Sequence, residues 1–278
     1  RTPWYRTILS YIIYAAIAVI LILFFGRYQA NRSRIQAENN RRISDLEEAK
    51  KIQESMLPKI IPEFSGYDIA AGLITSTEVG GDYYDFFQSN KDELFAVCGD
   101  ATGHGTAAGM MVSIIKSGLN GLPILSVNVI LEKLNNIVKK IDLGRLRMSL
   151  SVLKLTKEKI EYSAAAMPPF FYYNSKKATC EEILLEGLPL GGLKNESYTK
   201  QSLKMSKGDT IMVVSDGLPE AENENKELYD YQRINSILKS SNELDAENIK
   251  KKLFNSLDKW LKGGIPQDDV TVLIIKRN

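Results

Sequence analysis

Four places in the chain share one form, an apolar strand-like run with an aspartate at its end. They are Asp82 in EVGGDYYDFF, Asp100 in LFAVCGDATGHG, Asp216 in TIMVVSDGL, and Asp268 with Asp269 in PQDDVTVLII. Asp100 and Asp216 close their runs, whereas Asp268 opens its own. In an antiparallel sheet one strand's end and its neighbour's start share a rim, so these carboxylates could converge. Converging carboxylates repel one another unless a cation lies among them. Oxygen donors together with water suit hard octahedral ions, Mg2+ or Mn2+. Glycines beside the acids (Gly80, Gly81, Gly99, Gly103, Gly105, Gly217) let the backbone turn tightly and bring carbonyls toward such an ion. Taken singly, each place reads as an ordinary turn, bulge or solvated loop. Their joint occurrence carries the reading.

The elements that must position these acids are short strands. From Tyr67 onward YDIAAGLITS, DYYDFFQS, LFAVCGD, MSLSVLKL, KIEYSAAA, PFFYY, TIMVVSD and VTVLIIK are apolar or alternating, and several are β-branched. Helical stretches are expected at 104–121, 126–140, 231–239 and 246–261. Many strands with two pairs of helices predict an α+β sandwich with the helices packed outside the sheets.

The N-terminal region is of another kind. Thr7 to Gly26 carries no charged residue, and a helix of about twenty residues reaches about 30 Å, the thickness of a bilayer's hydrocarbon core. Trp4 and Tyr5 stand at one edge and Tyr28 at the other, where aromatic rings prefer to lie. Arg1 and Arg6 precede the run, while Arg27, Arg32, Arg34, Arg41 and Arg42 follow it. The heavier flank predicts that the C-terminal side faces the cytoplasm. Residues 27–57 then read as one charged helix without Gly or Pro, ended by Pro58 and Pro62. Ile35, Ile43, Leu46, Ala49, Met56 and Leu57 share one face, interrupted by polar residues such as Gln53. Two readings stand for it: a solvated spacer, or a short parallel coiled coil that would make a homodimer through residues 27–57. The expected division is therefore 1–26 flank and span, 27–57 linker helix, and 58–278 the folded domain. The chain starts at Arg1 rather than Met and is read as a fragment or processed product.

Composition excludes several classes. A formal net charge of +2 argues against a nucleic-acid binder. Two cysteines, Cys98 and Cys180, are too few for a disulfide scaffold, and a single histidine, His104, excludes His-rich zinc sites.

The motifs taken in order, AKKIQESMLPKIIP, EVGGDYYDFF, GDATGHGTAAGMM, PLGGL, KGDTIMVVSDGLPEAEN and QDDVTVLII, give the chain a family likeness. Residues 49–276 resemble the metal-dependent (PPM-type) serine/threonine protein phosphatases, in the bacterial SpoIIE-like and RsbU-like branch that regulates sigma factors. The resemblance implies a PPM-type β-sandwich of two antiparallel sheets flanked by helices, with two Mn2+ or Mg2+ at one edge. It implies that Asp82 and Asp100 are the bridging pair of ligands, that Ala101 offers a backbone carbonyl, and that Asp216 and Asp268 bind one metal. Asp269 stands where many relatives have Asn, so it would support ligands rather than be one, and its change to Asn would be mild. Asp85 is a candidate for holding water at a metal. Two cations would activate a water for in-line attack on phosphorus and neutralise the phosphoryl oxygens. No covalent intermediate is needed, so Ser215 is not read as a nucleophile, and one histidine in the chain argues against a Ser-His-Asp triad there.

The chain departs from the family in places. Eukaryotic relatives carry a histidine two residues after the second metal aspartate; here Thr102 holds that place, and His104 reads as organising the turn into the next helix. Ala166 and Met167 replace the Gly and His that many relatives have before the Pro pair. Arg145 and Arg147 read as surface residues. The function implied is hydrolysis of phosphoserine or phosphothreonine in a regulatory protein, a STAS-type anti-anti-sigma factor being the branch's usual substrate. The enzyme would be a single-pass protein of the cytoplasmic membrane, held through residues 7–26. The alternative is a module that keeps the fold and only binds a partner; the four ligand aspartates favour the enzyme. A nucleotide cyclase, suggested by GGD, does not fit GDATGHG and lacks a second cyclase element.

Overall fold

Alternation along the strands sets the layers. The computed structural model describes residues 3, 5, 7–103, 105–123 and 125–278. Arg1, Trp4, Arg6 and His104, to which the sequence reading gave roles, lie outside the described residues. Two antiparallel sheets form. One is built from β1 (Tyr67–Ile74), β6 (Phe170–Asn174), β7 (Thr179–Ile183), β9 (Thr210–Val214) and β10 (Val270–Arg277), in the order β1-β10-β9-β6-β7. The other is built from β2 (Asp82–Asn90), β3 (Glu93–Ala101), β4 (Met148–Leu155), β5 (Ile160–Ala165) and β8 (Gln201–Leu203), in that order.

Successive side chains of a strand point to opposite faces, and the core divides accordingly. Leu94, Ala96 and Cys98 of β3 pack between the sheets with Ile211 and Val213 of β9 and Leu273 and Ile275 of β10. Phe95 and Val97 face the other way, against α2 (Thr106–Gly121) and α3 (Val127–Ile141). Met212 and Val214 likewise face α4 (Tyr231–Lys239) and α5 (Ala246–Leu261). The helices are amphipathic at 3.6-residue spacing: Ile130, Leu131, Leu134 and Val138 of α3 are buried. α5 starts where the Asp245 carboxylate accepts the Asn248 N–H at 2.7 Å, a side-chain cap. The order is helix, sheet, sheet, helix, as the sequence reading expected. It missed β7 and β8, which are short edge strands with mostly polar, exposed residues and so lack the apolar alternation that marks a buried strand.

α1 runs unbroken from Ile8 to Met56; the span and linker of the sequence reading are one helix, and Gly26 does not interrupt it. The chain falls into two units, Arg1–Glu48 and Ala49–Asn278. In the first, the apolar side chains from Ile8 to Phe25 are exposed, and α1 is long and apolar enough to cross a membrane. The second begins inside α1 at Ala49, the point from which the family resemblance runs.

Candidate metal centre

Strand pairing brings the acids to one rim. Asp82 opens β2 and Asp100 lies at the end of β3, and the two are direct partners across the ladder; such partners have Cα atoms about 4.5–5.5 Å apart. On the other sheet β9 pairs with β10, Val214 opposite Val272. Asp216 just after β9 and Asp268 just before β10 therefore share the adjoining edge, and their charges act on each other.

Hydrogen bonds join the two edges. Ser215 Oγ donates to Asp82 Oδ2 at 2.7 Å and accepts the Thr271 N–H at 2.9 Å. The Asp269 carboxylate crosses in the other direction. Its Oδ2 accepts the Gly81 N–H at 2.7 Å, and its Oδ1 accepts the N–H and hydroxyl of Ser76 at 2.7 and 3.1 Å. The Ala101 N–H donates to the Gly81 carbonyl at 3.0 Å. Gly81 must lack a side chain, because a Cβ there would lie 2.5 Å from the Ala101 carbonyl oxygen and 3.1 Å from Asp100 Oδ1.

The electrostatics of this rim are one-sided. Burial, then the Asp100 charge, pushes Asp82 well above the usual carboxylate range, with the Ser215 hydroxyl pulling the other way. Burial, then the charges of Asp216 and Asp268, raises Asp100 to about 8. Burial and Asp268 raise Asp216. Among the described residues none of these acids has an ion-pair partner. Crowded carboxylates without a counter-charge have the electrostatics of a cation site. Among the described residues no three His, Cys, Asp or Glu side chains close into a ligand cage. Mg2+ does not need one: it keeps several waters and takes only one or two carboxylates. Asp82 with Asp100, and Asp216 with Asp268, offer two such pairs, and the room left by Gly81 is lined by the Ala101 carbonyl. The residues present fit hard divalent cations.

Asp85, read from the family resemblance as a candidate for holding water at a metal, lies apart from this group in the fold. Three residues beyond Asp82, it faces the opposite side of β2. There its Oδ2 accepts from Tyr83 Oη at 2.6 Å and from Lys116 Nζ of α2 at 2.7 Å. Asp85→Asn is expected to cost about 1–3 kcal/mol of stability in denaturant melts while Mn2+-supported turnover changes little. A loss of turnover as large as that of a rim aspartate would return Asp85 to the centre.

Other residues find structural places. Met167 is buried in the core between the sheets. Ala166 sits at φ 54°, where glycine is favoured, at the position where many relatives have Gly. Arg147 spends its guanidinium on the carbonyls of Gly144 and Leu146. The sequence reading missed Ser215 as a support of Asp82, although its place between a closing strand and an aspartate was the available signal. It also missed Gln53, Ser76 and the depth of the Asp269 contribution.

Comparison with known proteins gives the site its relatives. The profile of the family "Stage II sporulation protein E (SpoIIE)" matches residues 90–278. Phosphoserine phosphatase RsbU of Bacillus subtilis (strain 168) is 27% identical over 238 residues, spanning 84% of this chain and 70% of that protein. Among solved structures, the SiaA-PP2C domain of Pseudomonas aeruginosa superposes with a TM-score of 0.74 at 16% identity, over 86% of this chain and 98% of that one. RsbX, solved in complex with magnesium, superposes with a TM-score of 0.61 at 20% identity, over 79% of this chain and 99% of that one. At these identities the two structures speak for the fold alone.

Proposed function

Because the chain belongs to the family of Stage II sporulation protein E (SpoIIE), a family of PPM-type serine/threonine phosphatases, we propose that its rim of aspartates releases phosphate from phosphoserine or phosphothreonine of a STAS-type anti-anti-sigma factor. The observation that carries this reading is the convergence of Asp82, Asp100, Asp216 and Asp268 from two sheets without a positive partner among the described residues. The RsbU relative, a phosphoserine phosphatase, supports the choice of chemistry and of a signalling role. Two Mn2+ or Mg2+ ions held there would supply an activated water and neutralise charge on the phosphoryl group. The chain's own residues do the positioning. Asp82 and Asp100 form one oxygen pair, and Asp216 and Asp268 form the other. Ser215 keeps the Asp82 carboxylate aimed, and Asp269 holds the backbone that carries it. Asp82 is buried while Asp100 and Asp216 are half-buried and Asp268 is exposed at the mouth of the rim, and a set held in place by the fold needs little reorganisation as charge develops.

The N-terminal unit is read as the tether. A helix whose apolar side chains between Ile8 and Phe25 are exposed, with Ser10 the one buried polar side chain of that stretch, is costly in water, at about 25 cal/mol per Å2 of apolar surface, and stable in lipid. The arginines after Gly26 favour placing the phosphatase domain on the cytoplasmic side. Of residues 27–57, the part before Ala49 is proposed to pair with a second copy, since the helix end is taken up by the chain's own domain, with Gln53 on Gly80 and Leu57 on the core.

The test is phosphate release by the full chain, in bilayers, from a phosphorylated STAS-type protein. Release is expected with Mn2+ and is expected to stop with excess chelator. Release from phosphoserine peptides but not from the STAS protein would reject the substrate. No release from either, with Mn2+ bound, would reject the enzyme in favour of a binding module.

A further inference from the structure

Gln53 interrupts the apolar face of α1, and in the sequence it looks like a defect in a helical seam. In the fold it is only 8% exposed, and both ends of its amide are used. Nε2 donates to the Gly80 carbonyl at 2.7 Å, and Oε1 accepts the Gly80 N–H at 3.0 Å. A side-chain amide thus pairs with a backbone residue as a neighbouring strand would.

Gly80 occupies a particular place. The segment between β1 and β2 belongs to no sheet, so its buried polar groups must be satisfied from elsewhere. Asp269 supplies the acceptor for Ser76 and Gly81, the Val79 carbonyl accepts the Gly105 N–H at 2.9 Å, and Gln53 supplies both bonds of Gly80. A Cβ on Gly80 would lie 2.1 Å from Asp269 Oδ2. The Gly80 backbone is therefore held between the Asp269 carboxylate and the Gln53 amide. Two residues later comes Asp82.

We infer that Gln53 is a positioning residue of the metal centre: its amide fixes the backbone of Gly80 and so the aim of the Asp82 carboxylate. The inference rests on the reading of the rim as a metal centre. A glutamine is what the geometry requires. Asn is one methylene shorter, Met fills the space with neither donor nor acceptor, and Glu keeps the acceptor but loses the donor. Residues that orient a ligand typically alter metal affinity by about 10–100-fold when replaced.

The experiment uses the full chain in bilayers and measures Mn2+ binding by calorimetry beside phosphate release as a function of Mn2+. Gln53→Met is expected to weaken Mn2+ binding by about tenfold or more, with turnover largely restored at saturating Mn2+. Gln53→Glu keeps the acceptor for the Gly80 N–H but sets an oxygen against the Gly80 carbonyl, and is expected to weaken Mn2+ binding at least as much as Gln53→Met. A residue that only holds the helix in place would lower the melting temperature and leave the Mn2+ half-saturation unchanged; that result, in whichever of Gln53→Met and Gln53→Asn folds, overturns the inference. Asp82→Asn is the control for the reading beneath it. If Asp82→Asn binds Mn2+ as wild type does, the metal centre itself is misplaced. If it loses Mn2+ while the Gln53 variants do not, the inference about Gln53 alone fails.

Discussion

Asp100→Asn is expected to abolish most phosphatase activity and, in the same protein, to raise the melting temperature of the metal-free fold. The two effects have one cause. Asp100 is held at about pH 8 by burial and by the charges of Asp216 and Asp268. An acid whose folded-state value lies above its unfolded value of about 3.9 weakens the fold as pH rises through that interval, because the unfolded chain gives up the proton more readily. At neutral pH the metal-free fold therefore bears the cost of keeping Asp100 protonated where the unfolded chain would ionise it, and Asn removes that cost without changing shape. With cations present the sign reverses, since the same charge is what attracts them. Turnover should fall by roughly 10²–10³-fold or more, the loss seen when one charge-stabilising group leaves an active site. Calorimetry from pH 5 to 8 should show the variant's metal-free melting point depending less on pH than that of wild type, and Mn2+ should stabilise wild type far more than the variant. A variant that melts lower than wild type without metal, or keeps wild-type turnover, would show that the carboxylate is not held in an uncompensated cluster.

The convergence of this rim was legible from sequence because it needs only strand ends. Asp100 and Asp216 close apolar runs and Asp268 opens one, and antiparallel pairing then places them on shared edges. The layered core was legible for the same reason: Leu94, Ala96 and Cys98 alternate with Phe95 and Val97, and each set found its own layer. What was not legible depends on side-chain direction or on the pairing of distant loops. Asp85 lies near Asp82 in sequence but an odd number of residues along β2, so the pleat turns it toward Lys116. Gln53 gives a helix-period signal of disruption, and only the approach of the β1–β2 segment shows what the amide binds. Edge strands β7 and β8 carry polar residues on both faces, so no periodicity marks them. Ser215 reads as part of a turn until the second sheet brings Asp82 to within 2.7 Å of its hydroxyl.

Asp269→Asn, mild by family resemblance alone, is expected to be severe in this chain. Both oxygens of Asp269 are acceptors of buried or half-buried backbone N–H groups, Ser76 on Oδ1 and Gly81 on Oδ2, with the Ser76 hydroxyl also on Oδ1. An asparagine has one carbonyl oxygen and one NH2 group. Whichever way it turns, a donor faces a donor, and either the Ser76 or the Gly81 N–H loses its acceptor. A buried donor left unsatisfied costs about 1–3 kcal/mol. Against this stands a gain, because removing the charge relieves repulsion on the neighbouring acids. That gain is the lesser effect: at Asp82 the Asp269 charge ranks below burial, Asp100 and the hydroxyl hydrogen bonds, and at Asp100 it ranks below burial, Asp216 and Asp268. The lost bond should win. The variant should melt lower than wild type, and because Gly81 precedes Asp82, its Mn2+ half-saturation should rise by about tenfold or more. Hydrogen exchange separates this from general loosening: the Ser76 or Gly81 amide should lose protection while those of β9 and β4 keep theirs. Asp269→Ala, which removes both acceptors, should be worse on every measure. An Asn variant with wild-type melting point, amide protection and metal half-saturation would mean that the segment carrying Asp82 is held by Gln53 and the Ala101 amide without help from Asp269.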